Sequence, residues 1–218
     1  MRKLFISSIG LAPETKSDFM EFVGKDLSTI KIGFIPTASD VEKNPTYVQA
    51  DIDDIKLYGM DYEIIDLKYE NVDSLYAKLS KVDIIMVEGG NTFYLLDWVR
   101  KSGFDRIIGK LLDAGKIYYG ISAGSYIACP SIEAATWKDA DINTVDLKDL
   151  TGLNLVPFII SAHYNQQKYF DALQDGVNST KYPVVALTDK QAIVVSNDKY
   201  KIIGEGEKIF YNGFQESQ

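Results

Sequence analysis

The stretch "KIYYGISAGSYIACP" (116–130) decides how this chain folds. An apolar run ends in Gly-x-Ser-x-Gly, and small residues with a helical pattern follow. That is the signature of a strand turning sharply into a helix, with Ser122 at the turn. Working outward, similar short apolar runs occur at "KLFISS" (3–8), "KIGFIP" (31–36), "YEIIDL" (62–67) and "VDIIMVE" (82–88). They alternate only in part, as strands do when both faces of their sheet are covered. Helical patterns lie between them. Asn44-Pro45 reads as an N-cap followed by Pro at the first helical position, and Val48, Ile52 and Ile55 then share one helix face. Ile107, Ile108, Leu111 and Leu112 form another apolar stripe, closed by Gly115. Repeated β-α alternation predicts an α/β fold with a doubly wound, mostly parallel sheet.

The last third changes character. "PVVALT" (183–188), "AIVVSN" (192–197), "KYKIIG" (199–204) and "KIFYNG" (208–213) are closely spaced. Asp189-Lys190, Asn197-Asp198 and Gly204-Glu205-Gly206 separate them, which predicts antiparallel hairpins that extend the sheet or form a ribbon on it. With no repeat and no linker, residues 1–218 read as one domain.

Composition bounds the function. The 218 residues carry a formal charge of −8, a sign that repels phosphate backbones, so a nucleic-acid partner is not expected. A lone cysteine, Cys129, excludes an intrachain disulfide and fits a reducing compartment. The start, "MRKLFISSIGLAPE" (1–14), reads as a first strand rather than an export signal. No run approaches the roughly 18 apolar residues of a membrane span, so a cytoplasmic location without a membrane partner is expected.

The chemistry turns on Ser122. A hydroxyl attacks only when a base takes its proton. The sequence has one histidine, His163, at the end of "PFIISAHYN" (157–165). Ser122 and His163 thus both fall at strand C-termini, the edge of an open α/β sheet where ligands bind. Gly120 and Gly124 give the turn its clearance, and the Ala123 N–H at the helix start faces a developing oxyanion. A second donor is expected from Gly89-Gly90 in "VEGGNTFYLL" (87–96), where Asn91 or Thr92 would also cap the next helix. One histidine and scattered acids do not make a metal-ligand set, so no metal or organic cofactor is expected.

Three segments together, "GGNTFYLL" (89–96), "GISAGSYIACPSI" (120–132) and "LVPFIISAHYN" (155–165), resemble the peptidase E family, which includes aspartyl dipeptidases and is related to cyanophycinases. The resemblance implies a fold like class I glutamine amidotransferases, with serine in place of the cysteine nucleophile. By position it implies Ser122 as nucleophile, His163 as general base, and Gly90 and Ala123 as oxyanion donors. Gly89, Asn91 and Tyr164 are expected to line the substrate site, with Asn165 and Gln166 following Tyr164. The family's acidic triad member lies shortly after the elbow, where this chain has Trp137. Asp141 is the preferred replacement, followed by Asp139 and Glu133. Aspartyl dipeptidases also use an arginine after the histidine to read the substrate's carboxylate. Here the arginines are Arg2, Arg100 and Arg106, with Lys168 the nearest basic residue after His163, so a preference for Asp-X is not implied.

Two other enzyme classes fit less well. An α/β-hydrolase places several elements between nucleophile and base, whereas Ser122 and His163 are 41 residues apart. Cys129 lies about two helical turns past the elbow and reads as a packed small residue. The expectation is therefore a serine peptidase that cleaves small peptides, dipeptides above all, through an acyl-enzyme. The alternative is an impaired family member that binds small molecules or peptides. The oligomeric state is left open.

Overall fold

The computed structural model describes residues 1–137, 141–164 and 170–217. The five apolar runs of the first half become β1 (Lys3–Ser7), β2 (Lys31–Ile35), β3 (Asp61–Ile64), β4 (Ile84–Val87) and β5 (Ile117–Ile121). They pair in parallel in the order β3-β2-β4-β5-β1. Alternate side chains of these strands enter two separate cores. Phe5, Phe34, Met86 and Tyr119 pack on one face with Phe19 and Val23 of α1 (Lys16–Val23) and Ile52 and Ile55 of α2 (Thr46–Leu57). Leu4, Ile6, Ile35, Ile85 and Tyr118 pack on the other. They meet α3 (Val72–Leu79), α4 (Thr92–Ser102), α5 (Phe104–Asp113) and α6 (Ala123–Ala128). This two-sided cover is why the runs lack strict alternation. In the first core the Phe5 ring meets Phe19 and Tyr119 edge-on, each at 5.0 Å between centroids. Such pairs add about 0.5–1.5 kcal/mol each beyond burial. Helix α2 starts one residue later than read from the sequence, with Pro45 at the cap and Thr46 as the first helical residue.

The C-terminal third is antiparallel in part, and its pairing differs from a series of hairpins. β8 (Gln191–Ser196) runs antiparallel to β1, and β9 (Lys199–Gly204) pairs antiparallel with β8 through the turn at Asn197-Asp198. These two complete a sheet of seven strands. β7 (Val184–Ala186) instead pairs in parallel with β6 (Ile159–Ser161) and antiparallel with β10 (Ile209–Tyr211), forming a sheet of three. Only the Asn197-Asp198 junction is a hairpin. The Asp189-Lys190 segment carries the chain from the small sheet to the large one, and Gly204-Glu205-Gly206 leads back. β7 is the buried middle strand of its own sheet, so it has no free edge to offer β8.

Register aligns the site. Val87 sits opposite Gly120, and Ser7 opposite Ile121. The ends of β4, β5 and β1 therefore stop side by side, and Glu88-Gly89-Gly90, Ser122 and Ser8 emerge on one edge. Two further short helices, α7 (Ala134–Trp137) and α8 (Phe170–Ser179), pack with the small sheet on the core that includes α6.

Candidate active site

Ser122 links β5 to α6 with φ 48° and ψ −104°. This is a backbone state that costs a non-glycine residue about 1–3 kcal/mol. Neighbouring bonds hold it. Its N–H donates to Ser7 O at 3.0 Å, while its carbonyl accepts from the N–H groups of Ser125 and Tyr126, both at 2.9 Å. The Ser125 hydroxyl donates to Ser7 O and Gly120 O, and the Tyr118 hydroxyl donates to Gly124 O at 2.6 Å. The elbow has no room for larger neighbours. A Cβ at Gly120 would lie 2.7 Å from Gly124 O, and one at Gly124 would lie 2.1 Å from Val87 O.

The Ser122 Oγ lies 3.0 Å from His163 Nε2. His163 follows β6 with φ 60°, a second non-glycine residue in the left-handed region. Its N–H donates to Ser8 Oγ at 3.2 Å, and Ser8 Oγ donates to Leu187 O at 3.1 Å. The next N–H, from Tyr164, also donates to Leu187 O, at 3.0 Å. Ser8 thereby ties the end of β1 to the segments after β6 and β7. Asp189 lies two residues beyond Leu187, and its Oδ1 is 2.7 Å from His163 Nδ1. With hydrogen on Nδ1, the ring donates to Asp189 and leaves the Nε2 lone pair facing the Ser122 hydroxyl. Imidazole and carboxylate are each under a third exposed, at 29% and 28% of their side-chain surface.

The acid on the imidazole is thus Asp189, where the sequence reading expected Asp141. Asp141 Oδ2 instead accepts the Thr92 N–H at 2.8 Å, capping α4. Burial raises the pKa of its carboxyl, opposed by the Thr92 hydrogen bonds and the nearby His163. Asp141 does reach the cavity that holds Ser122 and His163, but as the anchor of a loop over the α4 N-terminus. Glu133 bonds to Thr180 and Ser131, away from the imidazole. Trp137 packs on α8, where a Cβ on Gly176 would lie 2.1 Å from its ring. Asp139, Asn165, Gln166 and Lys168 lie outside the described residues.

Gly89 and Gly90 form the other wall. A Cβ on Gly89 would lie 3.2 Å from Ser122 Cβ and 3.9 Å from Oγ. Gly90 has φ 130°, and a Cβ there would lie 2.4 Å from Ala38 O. Among the described residues the Gly90 N–H meets no backbone acceptor. The Ala123 N–H opens α6, where helix geometry offers none. The Asn91 side chain is held within the fold, accepting from Tyr94 N–H and donating to Ile142 O, both at 2.9 Å. The Tyr164 ring stacks on Phe170 at 4.8 Å. Cys129 is fully buried, its thiol pushed up to about 12, chiefly by burial, which leaves it inert.

A cavity of about 700 Å³ opens over Ser122 and His163. Part of its lining is not legible in the sequence. That part carries Glu88, Asp51, Asp54 and Glu42. Burial pushes the Glu88 carboxyl well up, and the facing Asp51 adds to it; burial likewise raises Asp51.

The chain is similar in sequence and fold to known proteins. Over 206 residues the chain is 34% identical to an uncharacterized peptidase of Pasteurella multocida, covering 94% of this chain and 98% of the relative. It is 30% identical to a peptidase E of Shewanella denitrificans over 211 residues, 90% of this chain and 85% of the relative. A crystal structure of a peptidase E candidate from Listeria monocytogenes EGD-e superposes with a TM-score of 0.82 at 31% identity, covering 94% of this chain and 100% of that one. The family model for peptidase family S51 matches residues 5–203, and the chain belongs to that family.

Proposed function

We propose that the protein is a serine peptidase that hydrolyses small peptides through an acyl-enzyme. The observation that carries this reading is the unbroken chain from Ser122 Oγ to His163 (3.0 Å) to Asp189 (2.7 Å), set on a strained strand-to-helix elbow. His163 Nε2 takes the hydroxyl proton as Ser122 attacks the peptide carbonyl. Asp189 fixes the tautomer and stabilises the imidazolium that forms. The N–H groups of Gly90 and Ala123 receive the oxyanion, each worth about 3–4 kcal/mol in the transition state. His163 returns the proton to the leaving amine, and water then cleaves the ester by the same route in reverse. A walled cavity of about 700 Å³ suits a short peptide rather than a protein segment. The lone, buried cysteine favours a cytoplasmic setting.

A fluorophosphonate probe with a dipeptide panel tests the reading. The expected result is covalent labelling of the native protein at Ser122 and loss of both labelling and cleavage in Ser122→Ala. A folded protein that neither labels nor cleaves would instead be a binding protein on the same fold.

A further inference from the structure

Part of the cavity lining is built from carboxyl groups without a matching cation. Asp51 and Asp54 come from α2, Glu42 from the turn before it and Glu88 from the end of β4. No lysine or arginine is among the described residues that line the cavity. Glu88 is fully buried and Asp51 is 8% exposed. One Glu88 oxygen accepts the Gly89 N–H at 2.7 Å, whereas Oε2 is buried and no N–H or O–H donor of the described residues reaches it. Leaving a buried carboxyl oxygen unsatisfied costs about 1–3 kcal/mol, more when it is charged. Burial and the facing Asp51 favour a protonated Glu88, and a proton on either carboxyl can bridge to the other and reduce that cost. The fold also makes room for the pair, since a Cβ on Gly10 would lie 1.8 Å from Asp51 Oδ1. Tyr47 reports the same field: burial, then Glu42, Glu88, Asp141 and Asp51, hold its phenol protonated. A wall that merely supported the fold would be better served by an amide or an apolar side chain.

Position gives this wall a partner. Glu88 directly precedes Gly89, where a Cβ would lie only 3.2 Å from Ser122 Cβ. A group bound at the pair therefore sits within about one residue of the carbonyl that Ser122 attacks. We propose that Glu88 and Asp51 receive a positively charged amino group on the acyl residue of the substrate. This rests on the serine peptidase reading above. The ammonium takes the place of a proton held between the two carboxyls, donating to Asp51 and to the buried Glu88 oxygen, and that proton leaves to solvent. Two groups offer that chemistry, the free α-amine of the first residue and the side chain of lysine.

Calorimetric titration of the Ser122→Ala protein near neutral pH separates them. The ligands are Ala-Leu, Lys-Leu, N-acetyl-Ala-Leu and N-acetyl-Lys-Leu. A charged amino group should tighten binding by about tenfold or more over N-acetyl-Ala-Leu. Proton release should appear as an enthalpy that varies with the ionisation heat of the buffer. If N-acetyl-Lys-Leu keeps the advantage, the side chain is the source; if only free-amine peptides do, it is the α-amine. Glu88→Gln and, separately, Asp51→Asn in the same background should remove both the preference and the proton release. Equal binding of charged and N-acetylated neutral dipeptides overturns the inference. Fluorophosphonate labelling of the native protein decides the serine reading separately. Labelling without an ammonium preference sinks only the inference. An ammonium preference without labelling sinks only the peptidase.

Discussion

At the residue scale, two carboxylates compete for the role of orienting His163, and they differ in what they touch. Asp189 is bonded to Nδ1, so an amide there can donate to the ring and reverse its tautomer. Asp189→Asn is expected to lower kcat by about 10³–10⁴-fold with little change in fold. Asp141→Asn removes a charge from the N-terminus of α4, costing roughly 1 kcal/mol of stability while sparing most of kcat. Steady-state kinetics and denaturant midpoints on the two variants make the test. An Asp141→Asn enzyme as slow as Asp189→Asn would restore Asp141 as the orienting acid. Ser8 belongs to the same machinery at one remove. Its hydroxyl accepts from the His163 N–H, so Ser8→Ala should lower kcat by about tenfold or less. Phosphonate labelling should slow with it, because the imidazole loses its anchor.

Elements explain why some of the site was readable and some was not. Ser122, His163 and Gly89-Gly90 each end an apolar run, and the rule that ligands gather at strand C-termini finds all three. Asp189 ends such a run too, after "PVVALT" (183–188), but with Lys190 between two apolar runs it reads as a hairpin turn. Local spacing cannot reveal that β7 and β8 lie in different sheets, because that depends on β6 supplying a parallel partner. Trp137, which stands where the resemblance places an acid, packs instead against Gly176 of α8, a partner that local spacing cannot reveal. The carboxyl wall was hidden because Asp51 looks like a polar residue on an amphipathic helix. Only the packing of α2 on the sheet face that carries Met86 and Tyr119 turns it inward. What the elbow requires of its elements is testable at Gly124, which lets α6 approach β4. Gly124→Ala must displace the Val87 carbonyl or the helix, at a cost of about 1–3 kcal/mol or more. Its denaturant midpoint should fall, and the rate of phosphonate labelling with it. An unchanged midpoint and rate would mean that the close approach is not needed.

At the scale of the whole molecule, the protein holds a formal charge of −8 and still buries two acids beside its cavity. That arrangement leaves a mark on stability. In the unfolded chain Glu88 titrates near its ordinary value of 4.5, whereas burial and Asp51 raise it in the fold. Between those two values the folded state holds the extra proton, so stability falls as pH rises from about 4.5 through neutrality. The slope reaches about 1.4 kcal/mol per pH unit for each proton retained. Asp51, also raised, adds in the same direction. The exposed acids whose values are lowered, such as Glu14, Asp26 and Asp113, act oppositely and only in more acidic solution. Glu88→Gln imitates the protonated acid, since its amide can donate to Asp51 while its oxygen keeps the Gly89 N–H. The variant should therefore lose much of the decline between pH 5 and pH 8 and be the more stable protein at the upper end. Thermal unfolding of both proteins across that range measures it. Parallel curves would mean that Glu88 is ionised in the folded protein, and the wall would then carry its charge openly even before a substrate arrives.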